Sequence, residues 1–135
     1  MAYSFEFDSP SGTLLAKFDG RMTNEVLSEF YRVTTPRLAT NAKIRGWIVD
    51  FSSVSSFEVT PEMIRSLAWA PPADPDPSRI RVIVAPAPNV FGLSRMFASH
   101  GGDTRPNLHV VRALEHAYAI LGISEPRFEP FTNLD

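Results

Sequence analysis

The sequence contains no cysteine, which excludes disulfides, thiol catalysis and thiolate metal sites. Basic residues are not in excess either. The formal net charge is −2 at pH 7, so the summed charge favours neither nucleic acid nor an anionic membrane surface. No apolar run approaches the ~18–20 residues of a membrane-spanning helix, and the opening MAYSFEFDSPSG lacks the apolar block of a signal peptide. We therefore expect a cytoplasmic protein without nucleic-acid partners or membrane insertion.

Recognisable catalytic and metal-binding patterns are missing as well. His100, His109 and His116 fall on different predicted elements without metal-ligand spacing. No Gly-x-Ser-x-Gly turn is present to hold a nucleophile. Gly92 stands alone where a phosphate-binding loop would need several spaced glycines. We therefore expect no metal, no cofactor and no enzymatic activity.

The hydrophobic patterns predict an α/β fold. YSFEFD and TLLAKFDG alternate as two strands of an N-terminal hairpin, and RGWIVDF is a strand covered on both faces. The element order β-β-α-β-α-β-α-β-α predicts a mixed sheet of about five strands with about four helices. Residues 1–122 are predicted to form one domain, followed by a C-terminal tail over 123–135.

Several local predictions concern turns and helix ends. Pro36 is expected to kink or end the first helix near Thr35. The serine-rich segment after Asp50 is predicted to be a loop, and PPADPDP is predicted to be an exposed connection. Thr60 begins the second helix, because a capping hydroxyl followed by proline and an acid is typical of a helix start.

The segment IVDFSSVSSFEVTPEMIRSLA resembles the centre of a STAS domain, the sulfate-transporter and anti-sigma-factor-antagonist fold. Asp50 resembles the aspartate at the end of the STAS strand, and Val54 and Phe57 resemble the apolar residues of the following loop. The resemblance covers about residues 3–122 and extends to standalone bacterial STAS-like proteins. It implies a non-catalytic regulatory domain whose partner is a protein, such as a kinase or an anti-sigma factor, or a small ligand.

In the antagonist branch of that family, the helix opens with Asp-Ser-Ser/Thr-Gly, and a partner kinase phosphorylates the first serine. The corresponding residues here are Glu58, Val59, Thr60 and Pro61. Val59 has no oxygen to phosphorylate. A shift of one residue would make Thr60 the phosphoacceptor, at a helix N-terminus where phosphate is favoured electrostatically.

The predicted contact surface is the edge where strands meet helix starts. Its candidate residues are Asp50, Ser53, Ser56, Glu58, Thr60, Asn89 and Arg95. All but Glu58 also have a purely structural interpretation. The serines, Asp50 and Thr60 can serve local turns and caps, Asn89 can cap the third helix, whose first-turn N–H groups could receive an anion, and Arg95 can be an ordinary surface residue.

A second hypothesis is a carrier or binder of a lipid or another apolar small molecule, because the broad fold also resembles the binding core of CRAL-TRIO lipid-transfer domains. The aromatic and methionine side chains of residues 91–97, with Trp47 and Trp69, motivate it. A homodimer is a further prediction about partners.

Overall fold

The computed structural model describes residues 2–100 and 104–131, which form four helices and six strands. In chain order they are β1 (Tyr3–Asp8), β2 (Thr13–Met22), α1 (Asn24–Thr40), β3 (Gly46–Phe57), α2 (Pro61–Trp69), β4 (Ile80–Val84), α3 (Pro88–His100), β5 (Leu108–Val111), α4 (Leu114–Leu121) and β6 (Glu129–Pro130). The predicted element order is confirmed, with the two-residue β6 as an addition. None of these helices combines the length and apolar character that crossing a bilayer requires.

The six strands form one mixed sheet in the order β5-β4-β3-β2-β1-β6. The pairs β2–β3, β3–β4 and β4–β5 are parallel, whereas β1 is antiparallel to both β2 and β6. Parallel neighbours need crossover connections, which α1, α2 and α3 provide. The predicted α/β class and the N-terminal hairpin are therefore confirmed.

Alternation along β3 separates two hydrophobic clusters. Trp47 and Phe51 belong to the larger cluster, together with buried residues from α1, α2 and α3. Ile48 belongs to the smaller cluster, which Ala117 of α4 joins. Because successive strand residues point to opposite faces, three helices cover one side of the sheet and α4 covers the other. We call these sides the three-helix face and the α4 face.

The prediction that the serine-rich segment after Asp50 forms a loop is wrong, because β3 continues to Phe57. β2 also runs on to Met22, so each strand supplies the other's backbone hydrogen-bond partners. Along this stretch β3 pairs only with β2, since its pairing with β4 reaches no further than Asp50 in the described chain. We call residues 19–22 of β2 with residues 51–57 of β3 the β2–β3 ribbon.

Two bulges explain why this stretch does not look like a strand in the sequence. The register shifts between Lys17 and Asp19 and again between Gly20 and Arg21, and each time β3 supplies one extra residue. As a result Phe51, Val54 and Phe57 all pack on the three-helix cluster, at a spacing of three instead of two.

Pro36 was expected to end or kink α1 near Thr35. It does not end the helix, which continues to Thr40. Thr34 and Leu38 flank the proline and are almost fully buried, at 0% and 1% exposure. Pro36 itself is exposed. Burial of both flanking turns therefore holds the helix together despite the backbone donor that proline lacks.

After α4 the chain returns across the sheet to β1. Gly122 ends α4 in the left-handed region, with φ of 69°. The Arg127 backbone N–H then donates to the buried Asp8 carboxylate over 2.9 Å, and the Phe131 ring lies 4.9 Å from that of Phe7. The described part of the predicted tail therefore packs on the edge of the sheet. Residues 132–135 lie outside the described residues.

Candidate functional site

The structure separates Asp50 from Thr60. Asp50 lies two residues after Ile48 in β3 and therefore points to the same α4 face, whereas Thr60 caps α2 on the three-helix face. Asp50 is only 5% exposed, and its carboxylate accepts hydrogen bonds from the Ser52 N–H at 2.9 Å and the Ser52 hydroxyl at 2.6 Å. The expectation that both side chains lie on one accessible rim is wrong, and Asp50 has a local structural role.

Glu58 belongs to an exposed polar cluster beside the β2–β3 ribbon. Nε and Nη2 of Arg21 donate to its two carboxylate oxygens at 2.9 and 2.8 Å, and the Ser56 hydroxyl donates at 2.9 Å. The hydrogen bonds from Arg21 and, to a smaller extent, from Ser56 lower the pKa of Glu58 to about 2. Ser53 is exposed on the ribbon opposite Asp19.

Thr60 is the N-cap of α2, as predicted, and its hydroxyl accepts the Met63 N–H at 3.1 Å. It also touches the start of α1. The Thr60 N–H donates to Asn24 Oδ1 at 3.1 Å, and Asn24 Nδ2 donates back to the Thr60 hydroxyl at 3.4 Å. The starts of α1 and α2 therefore lie side by side next to the ribbon.

Asn89 and Arg95 lie on α3 and are both exposed. The expectation that Asn89 caps this helix is wrong, because α3 already begins at Pro88 and Asn89 lies inside it. Within the described segments neither side chain hydrogen-bonds to Asp50, Glu58 or Thr60. The seven candidate residues therefore form three separate groups. Asp50 stands alone, and Asn89 and Arg95 are exposed on α3. The third group lies along the ribbon and at the start of α2, and it consists of Ser53, Ser56, Glu58 and Thr60.

A cavity lies between β3, β4 and the three-helix layer, and its wall includes Trp47 and Phe97, two of the residues that motivated the small-ligand hypothesis. Its volume is about 90 Å³. The walls are mostly aromatic and aliphatic and include Phe30, Trp47, Phe57, Ile64, Leu67 and Phe97. Among these apolar side chains stand three charged ones, from Asp74, Arg81 and Arg105.

Asp74 is fully partnered within the protein. Its Oδ1 accepts from Arg79 Nη1 at 2.7 Å and from the Asp76 N–H at 3.0 Å, and its Oδ2 accepts from Trp47 Nε1 at 3.0 Å. Arg79 also donates to three backbone carbonyls near the end of α1. The prediction that PPADPDP is an exposed connection is therefore wrong at Asp74, which is 1% exposed.

Arg105 is also satisfied. Its guanidinium donates to the carbonyls of Leu67, Ala68 and Ala70 at 3.0, 2.7 and 3.3 Å, where the C-terminal end of the α2 dipole favours a cation. It stacks over the Phe97 ring with 4.6 Å to the centroid. Burial raises the pKa of the neighbouring Tyr31 hydroxyl, and the positive charge of Arg105 opposes that shift.

Arg81 differs from both of its charged neighbours. It is 4% exposed, and its Nε and Nη2 have no hydrogen-bond partner within residues 2–100 and 104–131. Burial lowers the pKa of its guanidinium, and the carboxylate of Asp74 offsets this only in part. The guanidinium of Arg81 therefore leaves uncompensated positive charge in the cavity wall. Burying a cation without a partner costs folding free energy.

Sequence reasoning missed these residues although signals for some of them were present. Arg81 interrupts the apolar strand RIRVIV, and alternation places it on the same face as Ile83, where a charge is out of place. Asp74 and Arg105 gave no such signal, because both come from segments rich in turn residues. In the described segments no group of three or more histidines and acids is placed to hold a metal ion.

Comparisons with protein-family models and with curated proteins find no match for this chain.

Proposed function

We propose that this protein is a non-catalytic, STAS-like regulatory domain that binds a partner protein through the β2–β3 ribbon and the start of α2. The resemblance in residues 3–122 motivates the regulatory role. A kinase or an anti-sigma factor is the kind of partner it implies.

One observation supports this surface above all others. Residues 51–57 of β3 extend past the end of β4, so one edge of this strand has no strand neighbour in the described chain. Unpaired backbone groups along a strand edge are a template for an added strand from another protein. The polar cluster of Glu58 and Arg21 lies at the same end of the ribbon and supplies charge for orientation.

The test compares proteins captured from native lysate by the wild type, by Ser53→Arg and by Ser28→Arg. Ser53 is exposed on the ribbon, and Ser28 is exposed on α1. A partner retained by the wild type and Ser28→Arg but lost by Ser53→Arg supports the proposal, provided the purified partner shows the same order of affinities. Equal capture by all three proteins would reject the ribbon as the contact surface.

Phosphorylation of Thr60 is a separable part of this proposal. The hydroxyl is exposed at the N-terminus of α2, where added phosphate meets the positive end of the helix dipole. Mass spectrometry after incubation with cellular kinases should find phosphate on Thr60 and none in Thr60→Val. Persistent absence of phosphate from residues 52–60 would remove the switch and leave partner binding untouched.

A second candidate function is the binding of a small ligand, and the cavity favours it. Trp47, Phe57 and Phe97 line a largely apolar space of about 90 Å³. Typical drug-sized ligands need pockets of roughly 300–1,000 Å³, so the cavity suits a much smaller molecule than a lipid. Trp69 does not contribute, because it is 75% exposed and outside the cavity wall.

A further inference from the structure

We infer that residues 123–131, which we call the strap, exchange between two copies of this chain to form a symmetric dimer. In the structure the strap lies along β1 of its own chain, where β6 is the outermost strand of the sheet. In the exchanged dimer each strap lies along β1 of the other copy instead. The partner is therefore a second copy of this chain, and the contact surface is the outer edge of β1.

The strap is held on β1 by a short set of contacts. β6 is two residues long and pairs with Glu6 and Phe7. Beyond this ladder, the Arg127 N–H donates to the Asp8 carboxylate and the Phe131 ring stacks 4.9 Å from the Phe7 ring. All of these contacts join one segment to one strand edge. Because a second copy has the same sequence, its strap can make every one of them in the same geometry.

A strap released without a new place to dock would expose apolar surface. Phe128 packs on the cluster of the α4 face, with its ring 6.1 Å from that of Tyr118, and Phe131 packs on the three-helix cluster. Release exposes both phenylalanine rings to water and removes one donor from the buried Asp8. Docking on a second copy restores these contacts, so exchange is favoured over simple release.

The turn that returns the strap to its own sheet is strained. Glu125 has a φ of 52°, the one positive φ of a non-glycine residue in the described part of the chain. In this left-handed conformation the Cβ atom crowds the backbone. The next residue is Pro126, and proline pushes the residue before it toward extended backbone. An extended residue 125 satisfies both preferences and leads the strap away from its own β1.

Reciprocal exchange closes the assembly at two copies. Each copy gives one strap and receives one, so the same contacts form twice about a two-fold axis and no β1 edge is left for a third copy. The strain at Glu125 is relieved twice in each dimer. Short connections under strain favour exchange of this kind. Association of two molecules costs free energy, so the dimer should dominate at high protein concentration.

Substitutions at residue 125 test the hinge, because residue types differ in their tolerance of positive φ. Size-exclusion chromatography with light scattering, after refolding from urea at high protein concentration, should find wild-type dimers. Glu125→Gly makes the turn without strain and should raise the dimer dissociation constant by about 30- to 700-fold, since two residues per dimer lose their strain. Glu125→Val disfavours positive φ and should lower it. Glu125→Gln removes only the charge and should match the wild type.

A disulfide tests where the strap lies in the dimer. The sequence has no cysteine, so Glu6→Cys with Pro130→Cys introduces a single pair. These residues are opposite each other in the β1–β6 ladder, and the Phe131 N–H beside them donates to the Phe5 carbonyl. Such a non-hydrogen-bonded pair has Cα atoms about 4.5 Å apart, within reach of a disulfide.

After oxidation, the dimer fraction of this double variant should give covalent dimers on a non-reducing gel, and the monomer fraction should give covalent monomers. Each single-cysteine variant is a control and should remain uncross-linked. A dimer fraction that yields only covalent monomers would show a dimer formed without exchange and would overturn the inference.

Two further results would also overturn it. Equal dissociation constants for Glu125→Gly and Glu125→Val would show that strain at this residue does not drive exchange. Absence of dimers from both the wild type and Glu125→Val at millimolar concentration would reject the exchanged dimer. Neither result bears on the ribbon, whose role in partner binding is decided by the capture experiment with Ser53→Arg.

Discussion

Three arginines in this protein differ in burial and in pairing. Arg21 pairs with Glu58 at the surface, Arg79 pairs with Asp74 in the interior, and Arg81 is buried without a pair. Surface pairs contribute little to stability because water and salt screen them. Buried charges are expensive to leave unpaired. The stability effects of substitutions at these residues should therefore differ strongly.

Asp74→Asn should destabilise the protein by about 3–5 kcal/mol, because it leaves the charge of Arg79 buried without its carboxylate. The two side chains are 0% and 7% exposed, so solvent cannot compensate. Urea unfolding followed by circular dichroism measures the effect. Glu58→Gln is the matched control in the exposed pair and should change stability little. Equal effects of the two substitutions would contradict the role assigned to burial.

Arg81→Met should leave the unliganded protein as stable as the wild type or stabilise it by up to ~4 kcal/mol. The reason is that an unpaired, desolvated cation is replaced by an apolar side chain of similar length. Arg105→Met is the contrasting variant, and it should destabilise the protein by at least ~1 kcal/mol because three carbonyls of α2 lose their donors. Urea denaturation of both variants provides the comparison. Strong destabilisation by Arg81→Met would mean that Arg81 is held by contacts within the protein.

At the scale of elements, local signals set several helix starts and stops. Thr23 and Thr60 cap their helices with side-chain oxygens on Val26 N and Met63 N, and Gly122 ends α4. These signals act within one helical turn, so the sequence alone contains them. The ends of α1 and β3 escaped prediction because distant contacts decide them. Buried neighbours carry α1 past Pro36, and pairing with β2 carries β3 past Asp50.

Pro36→Ala should stabilise the protein by about 1–3 kcal/mol, because it restores a backbone donor and relieves the clash with the preceding turn of α1. Pro36 is exposed, so the substitution removes little packing. Ser28→Ala, also exposed on α1, is the control and should change stability by only tenths of a kcal/mol. Chemical denaturation of both variants tests the prediction. A loss of stability in Pro36→Ala would indicate that the turn of α1 at this position is shaped around the proline.

At the scale of the whole molecule, all three tyrosines are affected by the same kind of burial although they lie on different elements. Desolvation, together with the hydrogen bond to Glu29, raises the pKa of Tyr3 on β1 to about 12. Burial also raises the pKa of Tyr31 on α1 and of Tyr118 on α4, the latter with a contribution from the negative charge of Asp50. The folded molecule therefore favours the neutral form of every tyrosine.

The sign of the pH dependence follows from these raised pKa values. Stability from the neutral tyrosines is fully present below the ordinary pKa of 10.0 and is lost as the pH rises toward about 12. We expect the ultraviolet absorbance of phenolate to appear above pH 10 in the folded protein, together with loss of structure. The urea-unfolded chain should ionise near pH 10. A folded protein that titrates its tyrosines at pH 10 without loss of structure would contradict this prediction.

The sequence by itself determined the element order, the mixed α/β sheet and the cap of α2. Periodicity and capping act between residues close in the chain, so their information is present before folding. Only the tertiary structure decided that β3 continues as a bulged ribbon, that Asp50 and Thr60 lie on opposite faces, and that Arg81 is buried without a partner. These features arise where segments distant in sequence meet. The register of β2 against β3 sets the face to which each side chain of β3 points. The packing of three helices over β4 sets how deeply its side chains are buried.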